Sequence, residues 1–321
     1  MVEVALGIDI GGTNTVYSAV DRNGNCLVNG RISTNDYIDF SMFLQNLVKS
    51  INNSISSFDQ DKLELIGIGI GAPNGNFFTG TIEYAPNLKW TGIIDVVSSF
   101  KKYFENIPVV LTNDANAAAI GEMVFGSAKG MKDFIVITLG TGLGSGIVVD
   151  GKVLYGKDGF AGEVGHTIVY YDGRECGCGR KGCLETYASA SGIKRTVIEM
   201  LETSDSPSIF RGLNENEVSS KKIFEAASNG DQISIDAFEF TGKILGWKLA
   251  DVIAILNPEA IFLYGGLAQA GELIFNPTKK HMEDQLLKIF KNKVKLLPSG
   301  LSCEQAAVLG ASALIWKERG I

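Results

Sequence analysis

L-G-I-D-I-G-G-T-N, residues 6–14, is followed by T-V-Y-S-A-V at 15–20 and D-R-N-G at 21–24. An apolar run of strand length, a glycine turn, a second run and a polar turn read as a β-hairpin, with a third strand near 26–32. The same order returns as F-I-V-I-T-L at 134–139, G-T-G at 140–142, S-G-I-V-V at 145–149, D-G at 150–151 and K-V-L at 152–154. Each copy leads into alternating strand and helix patterns. The repeat therefore predicts an α/β protein built by duplication, with a cleft between its halves.

Outward from these hairpins, Phe43, Leu44, Leu47, Val48, Ile51, Ile55 and Phe58 recur at helical spacing. Strands are expected near 64–70 and 107–112, and an Ala-rich helix over 115–125. Long helices are expected within 184–201 and 231–256, a terminal one near 304–318, and a surface loop over the Ser-rich segment 203–220. The boundary between halves falls near Asn113-Asp114, giving domains 1–113 and 114–303.

The 321 residues are 45% apolar and 20% charged, enough for two globular cores. A net charge of −7 disfavours a nucleic-acid surface, which needs a basic face. No apolar run is long enough to span a membrane, and the first residues lack a basic leader. A cytoplasmic protein is the expectation. Cys26 and Cys303 lie outside any ligand spacing and read as ordinary residues in or near the core, and His281 as a solvated surface residue.

Backbone N–H groups reach a nucleoside triphosphate most closely in glycine turns. Gly11-Gly12-Thr13-Asn14 is one such turn and Gly140-Thr141-Gly142 a second. Gly265-Gly266, after I-F-L-Y, is a third, suited to a nucleoside. Asp9 ends the first strand and can hold Mg²⁺ through water. Gly146 to Val153 has a G-x4-G-K skeleton, but Val153 stands where Ser or Thr would meet magnesium, so it is not a P-loop.

E-V-G-H-T-I-V-Y-Y-D-G-R-E-C-G-C-G-R-K-G-C-L-E, residues 163–185, holds three of the five cysteines and one of two histidines. His166, Cys176, Cys178 and Cys183 make a closed tetrahedral set for Zn²⁺. Four protein ligands leave no open position, so the expected role is to fix the loop.

D-I-G-G-T at 9–13, T-N-D-A-N-A-A-A-x-G-E at 112–122, L-G-T-G-L-G-x-G at 139–146, G-E-V-G-H at 162–166 and C-G-C-G-R-K-G-C-L-E at 176–185 together resemble the ROK family of repressors, uncharacterised reading frames and sugar kinases. The resemblance implies the actin/hexokinase-type (ribonuclease H-like) ATPase fold. It implies that the last helix returns to the first domain, which becomes 1–113 plus 304–321. It assigns Asp114 as catalytic base, and Asn87, Asn113, Glu163, His166 and Glu185 as sugar-binding residues. The implied reaction is ATP-dependent phosphorylation of a hexose, first glucose and then N-acetylmannosamine, by a dimer or tetramer. A sugar-responsive regulator is the other family function. Family repressors carry an N-terminal helix-turn-helix domain, whereas this chain enters its phosphate strand at residue 3. Asn74 interrupts the usual G-x-P-G turn, and Asn14 replaces a frequent lysine.

Overall fold

The computed structural model describes residues 1–58, 63–301 and 306–320. Cys303 and the first two residues of the expected terminal helix lie outside them. In chain order the elements are β1 (Val2–Ile10), β2 (Asn14–Asp21), β3 (Cys26–Ser33), α1 (Phe40–Ser57), β4 (Leu63–Ala72), β5 (Gly75–Asn76), β6 (Thr81–Glu83), β7 (Ile93–Asp95), α2 (Val96–Lys101), β8 (Val109–Asn113) and α3 (Asp114–Val124). Then come β9 (Phe134–Leu139), β10 (Leu143–Val149), β11 (Lys152–Val153), α4 (Ala190–Thr203), α5 (Ser220–Ser228), α6 (Gln232–Leu256), β12 (Ala260–Tyr264), α7 (Glu272–Gln285), β13 (Lys295–Pro298) and α8 (Ala306–Glu318).

The first sheet has the order β3-β2-β1-β4-β8, and the second has β11-β10-β9-β12-β13. The two orders are the same: an antiparallel meander continued by two parallel strands. The duplication read from the hairpins therefore extends through each whole sheet. Residues group into two compact units, Met1–Lys132 with Gly146–Gly162 and Ser299–Ile321, and Asp133–Ser145 with Glu163–Pro298. The chain passes from one unit to the other within β10.

In the first unit, α1 starts at Asp39, whose carboxylate accepts from the Met42 N–H at 2.9 Å. Its stripe Phe43, Leu44, Leu47, Val48 and Ile51 is buried, as the spacing predicts. Burial of each such side chain stabilises by about 1.5–3 kcal/mol. On the other face of the sheet lies α8. Side chains on Gly7 of β1 or Gly69 of β4 would strike the α8 backbone at Val308 or Ala311, so these glycines let the helix lie directly on the strands. Helix α3 packs on α8 in the same way, with Gly121 against Gly310. This contact explains why α3 belongs to the first unit although the sequence boundary was expected just before it. Residue Glu122 of α3 is fully buried and accepts from the N–H groups of Ser127 and Gly300 and from the Ser299 hydroxyl.

In the second unit, α6 is capped by Asp231, which accepts from Ser234 N–H at 2.9 Å. It packs along α7 through Gly242 and Gly246. His281 of α7 pairs with Glu239 of α6 at 2.8 Å and is only 16% exposed, so it is not the solvated residue expected. The expected helix within 184–201 is a short 3-10 turn, Leu184–Thr186, followed by α4. No helix among the described residues is long and apolar enough to cross a membrane.

Candidate active site and metal centre

The parallel registers align Asp9 with Gly71, and Gly71 with Thr112. The ends of β1, β4 and β8 thus stand side by side, where ligands bind in open α/β sheets. Asn113 caps α3, its Oδ1 accepting from Asn116 N–H at 2.7 Å, and its Nδ2 has no protein partner among the described residues. Asp114 is the first residue of α3. A Cβ on Gly71 would sit 3.7 Å from Asp9 Oδ1 and 3.8 Å from the Asp114 Cα. Gly71 therefore forms the floor between the two carboxylates. In the sequence Gly71 opens the G-A-P-N-G turn, but its place between the carboxylates is set by strand register and was not legible there.

The Gly11 turn closes with Gly11 N–H donating to Asn14 O at 3.0 Å. A side chain on Gly12 would come within 2.5 Å of the Asn87 carbonyl. The structure thus brings Asp9, the Gly11-Gly12-Thr13-Asn14 turn, Asn87, Asn113 and Asp114 to one end of the first sheet.

Burial, and then the charge of Asp114, raise the Asp9 pKa to about 7. Desolvation raises Asp114 too, while N–H donors at Ala115 and at Asp114 itself pull it partly back. Asp114 keeps accessible surface, and water there tempers that rise.

In the second unit, Gly140 N–H donates to Gly142 O at 3.1 Å, closing the turn after β9. Gly265 adopts φ +103° after β12, and a Cβ there would lie 2.7 Å from the Leu139 carbonyl. Because Tyr264 pairs with Thr138, the two glycine turns are neighbours at one end of the second sheet. Gly140, Thr141 and Gly266 are exposed. The rejected G-x4-G-K skeleton is the β10–β11 hairpin, turning at Asp150 and Gly151 with positive φ.

The ligand atoms of His166, Cys176, Cys178 and Cys183 all lie within 4.8 Å of one another. Cys178 and Cys183 sulfurs are 3.6 Å apart, and Cys176 Sγ is 3.7 Å from His166 Nδ1. A tetrahedral ion about 2.3 Å from each sulfur sets edges of about 3.8 Å, so the set fits a metal of that size. Burial raises the Cys178 thiol, but hydrogen bonds from the Arg180 backbone and side chain outweigh it and lower the pKa to about 6. Burial raises Cys176 and Cys183.

Local chemistry shapes this loop. Cys176 N–H donates to Arg180 O, and Gly179 N–H to Cys176 O, folding 176–180 tightly with Gly179 at φ +83°. Arg174, a residue sequence reasoning passed over, braces it from behind. Its guanidinium donates to Glu199, Thr196, Thr186 O and Gly192 O and stacks on Tyr187 at 4.5 Å. A lone arginine among glycines and cysteines carries no local signal of that role.

Glu185 reaches both features of this unit. Its Oε2 accepts from Leu143 N–H at 3.3 Å, just after the Gly142 turn, and its Oε1 lies 3.2 Å from Cys176 Sγ and 3.7 Å from His166 Nδ1. With Nδ1 turned to the cysteines, His166 keeps Nε2 for another partner. Glu163 is exposed and begins the 3-10 turn Val164–His166, which Ser145 Oγ tethers through Val164 N–H at 3.2 Å.

The ROK family profile matches residues 5–318. A glucokinase of Halalkalibacterium halodurans is 36% identical over 283 residues, 87% of this chain and 84% of that protein. A xylose repressor of Bacillus subtilis is 31% identical over 269 residues, 84% of this chain and 66% of that protein. A ROK family glucokinase from Streptomyces griseus, solved in complex with glucose and AMPPNP, superposes with a TM-score of 0.81 at 32% identity, covering 97% of this chain and 98% of that one. Its fold is therefore the actin/hexokinase-like one implied by the motifs, and the protein belongs to the ROK family.

Proposed function

We propose that the protein is a cytoplasmic kinase that transfers the γ-phosphoryl group of ATP to a hexose, converting glucose to glucose 6-phosphate. The observation that carries this reading is the placement of Asp114 at the start of α3, across Gly71 from Asp9 at the strand ends of the first unit. Named glucokinases among the relatives supply the substrate. Phosphoryl transfer runs through a loose transition state, so alignment and charge stabilisation dominate. Asp114 accepts the proton of the attacking hydroxyl as the new O–P bond forms and the bond to ADP breaks. An aspartate of raised pKa is a better base for that task than one at ~3.9.

Asn87, Asn113, Glu163, His166 and Glu185 hydrogen-bond the sugar hydroxyls. Asn113 does so through Nδ2, since Oδ1 caps α3. Glu185 divides its oxygens between the Leu143 turn and the cysteine cluster, so it positions as much as it reads. Gly11, Gly12, Thr13 and Asn14, and Gly140, Thr141 and Gly142, hold the phosphates, and Gly265 and Gly266 the nucleoside. Asp9 would hold Mg²⁺ through water, and the ion would neutralise phosphate charge. Zn²⁺ held by His166, Cys176, Cys178 and Cys183 would stabilise the loop.

The xylose-repressor relative favours a second reading, a sugar-responsive regulator that does not turn over ATP. ADP release measured across glucose, mannose, N-acetylmannosamine and xylose separates the two. Sugar-dependent ADP formation, highest with glucose, is expected. A protein that binds sugar but forms no ADP with any of the four would replace the kinase reading with the regulator.

A further inference from the structure

Next to the strand ends, where a Cβ on Gly75 would lie 2.4 Å from the Thr112 carbonyl, the first unit contains an open pocket of about 390 Å³ lined by Asn76, Phe78, Thr79, Glu83, Lys157, Asp158 and Phe160. Its walls are fixed. The Asn76 side chain is buried and fully engaged, donating to Glu83 Oε1 and Asp158 O at 3.0 Å each and accepting from Phe78 N–H at 3.0 Å. It ties β5 to the loop after β11. Gly159 takes φ +90° there, and a Cβ would lie 2.6 Å from Asn76 Oδ1. Behind the pocket, Phe77 stacks on Tyr155 at 4.3 Å, and Phe78 packs edge-on to both.

Within this frame some groups have no protein partner. Glu83 Oε1 accepts from Asn76, Thr79 and Thr81, whereas Glu83 Oε2 accepts from no described residue. Lys157 has no hydrogen bond or ion pair among the described residues. Phe78 and Phe160 remain 58% and 40% exposed. A spare carboxylate oxygen and a spare ammonium can take vicinal hydroxyls, one as acceptor and the other as donor. The phenyl rings can take the C–H face of a pyranose. The volume lies at the low end for ligand sites, about 300–1,000 Å³, which suits one or two sugar rings.

We propose that this pocket is a second saccharide-binding site, in which Glu83 and Lys157 hold adjacent hydroxyls of a neutral sugar against Phe78 and Phe160. Its lining shares no residue with those assigned to ATP, the hexose or the metal.

Calorimetric titration with glucose and with maltose tests it on three proteins: wild type, Lys157→Met/Phe78→Ala, and Asn87→Ala. Both residues of the double variant are exposed, so the fold should be kept, and circular dichroism checks this. A binding event that persists in Asn87→Ala and weakens at least about tenfold in the double variant supports the pocket. Lys157→Arg should restore part of it. Binding that vanishes in Asn87→Ala and is unchanged in the double variant overturns the second site while leaving the kinase site standing. Absence of any saccharide binding by the wild type overturns both. A single event lost only in the double variant keeps the pocket and removes the assigned sugar residues.

Discussion

The turns after β1 and β9 close matching hairpins in two sheets of the same strand order, yet they carry opposite chemistry. Two residues before the first glycine, the first copy has Asp9 and the second has Thr138. Asp9 is desolvated and repelled by Asp114, with a pKa near 7. Thr138 is neutral, and its hydroxyl accepts from Gly144 N–H at 3.1 Å. After the last parallel strand the first copy continues into Asn113-Asp114 and α3, whereas β13 ends at Pro298. The second unit places its ionisable groups elsewhere, in the loop of cysteines beside Glu185. On the proposed function, two scaffolds of the same strand order divide the chemistry between them: proton transfer in one, metal binding in the other.

If that division holds, the largest effect comes from Asp114→Ala. Turnover should fall by about 10²–10⁴-fold, the range for a lost general base, with zinc content unchanged. Steady-state ADP release with glucose measures it. A variant retaining more than about a tenth of wild-type activity would move proton transfer away from the first unit.

Cys178→Ser should act in the opposite unit. Zinc per chain, by elemental analysis, should fall from about one to below about a tenth, because one of four ligands is lost. KM for sugar should rise more than KM for ATP. Full zinc in this variant would disprove the four-ligand set.

Asp9→Asn should reveal the cost of the desolvated carboxylate through pH. The Asp9 pKa is raised on folding, so its stabilising contribution is complete below about pH 4 and is lost as pH rises towards 7. A shift from 3.8 to about 7 corresponds to at most about 4 kcal/mol. The asparagine variant should therefore melt higher than wild type at pH 8, without Mg²⁺ or nucleotide, and the gain should shrink towards pH 4. Thermal unfolding at both pH values checks the sign, and a gain that does not depend on pH would show that Asp9 is not the strained group. Thr138→Asp should import the same trend into the second unit. Its loss at pH 8 should be smaller, since the new carboxylate can keep the Gly144 N–H bond.

How far these features were legible in sequence depended on how local they were. The hairpins and the cysteine loop are set by residues within a few positions of each other, and both stood out. Gly7 and Gly69 lie in runs that read as strands, but their task is set by α8, which is distant in sequence. The boundary before α3 was expected because T-N-D-A reads as a strand end, and the packing of the helix on α8, with Gly121 against Gly310, places it in the first unit. The strands β5, β6 and β7 are two or three residues long and cannot show a period. In the active region, motif residues were visible one by one. The desolvation of Asp9 was not, since it arises from packing by several separate segments.

The smallest effects separate the loops that follow β4 and β12, and they probe the same division. After β12 the chain turns at Gly265, where φ is +103° and a Cβ would meet the Leu139 carbonyl at 2.7 Å. After β4 it turns at Asn74, where φ is +50°, within the left-handed region that asparagine tolerates. Asn74 also works through its side chain, donating to Glu83 O at 3.0 Å and Tyr84 O at 3.3 Å. Gly265→Ala combines a forbidden backbone with a clash and should cost about 2–4 kcal/mol. Asn74→Gly removes two partly exposed hydrogen bonds but eases the backbone, so the net loss should be only about 0.5–1 kcal/mol. Asn74→Ala loses the bonds and keeps the strain, and should fall between the two. Urea midpoints for the three variants test this order. If Asn74→Gly were as damaging as Gly265→Ala, the asparagine in the G-A-P-N-G turn would be a structural necessity of the first unit rather than a tolerated departure from the family turn.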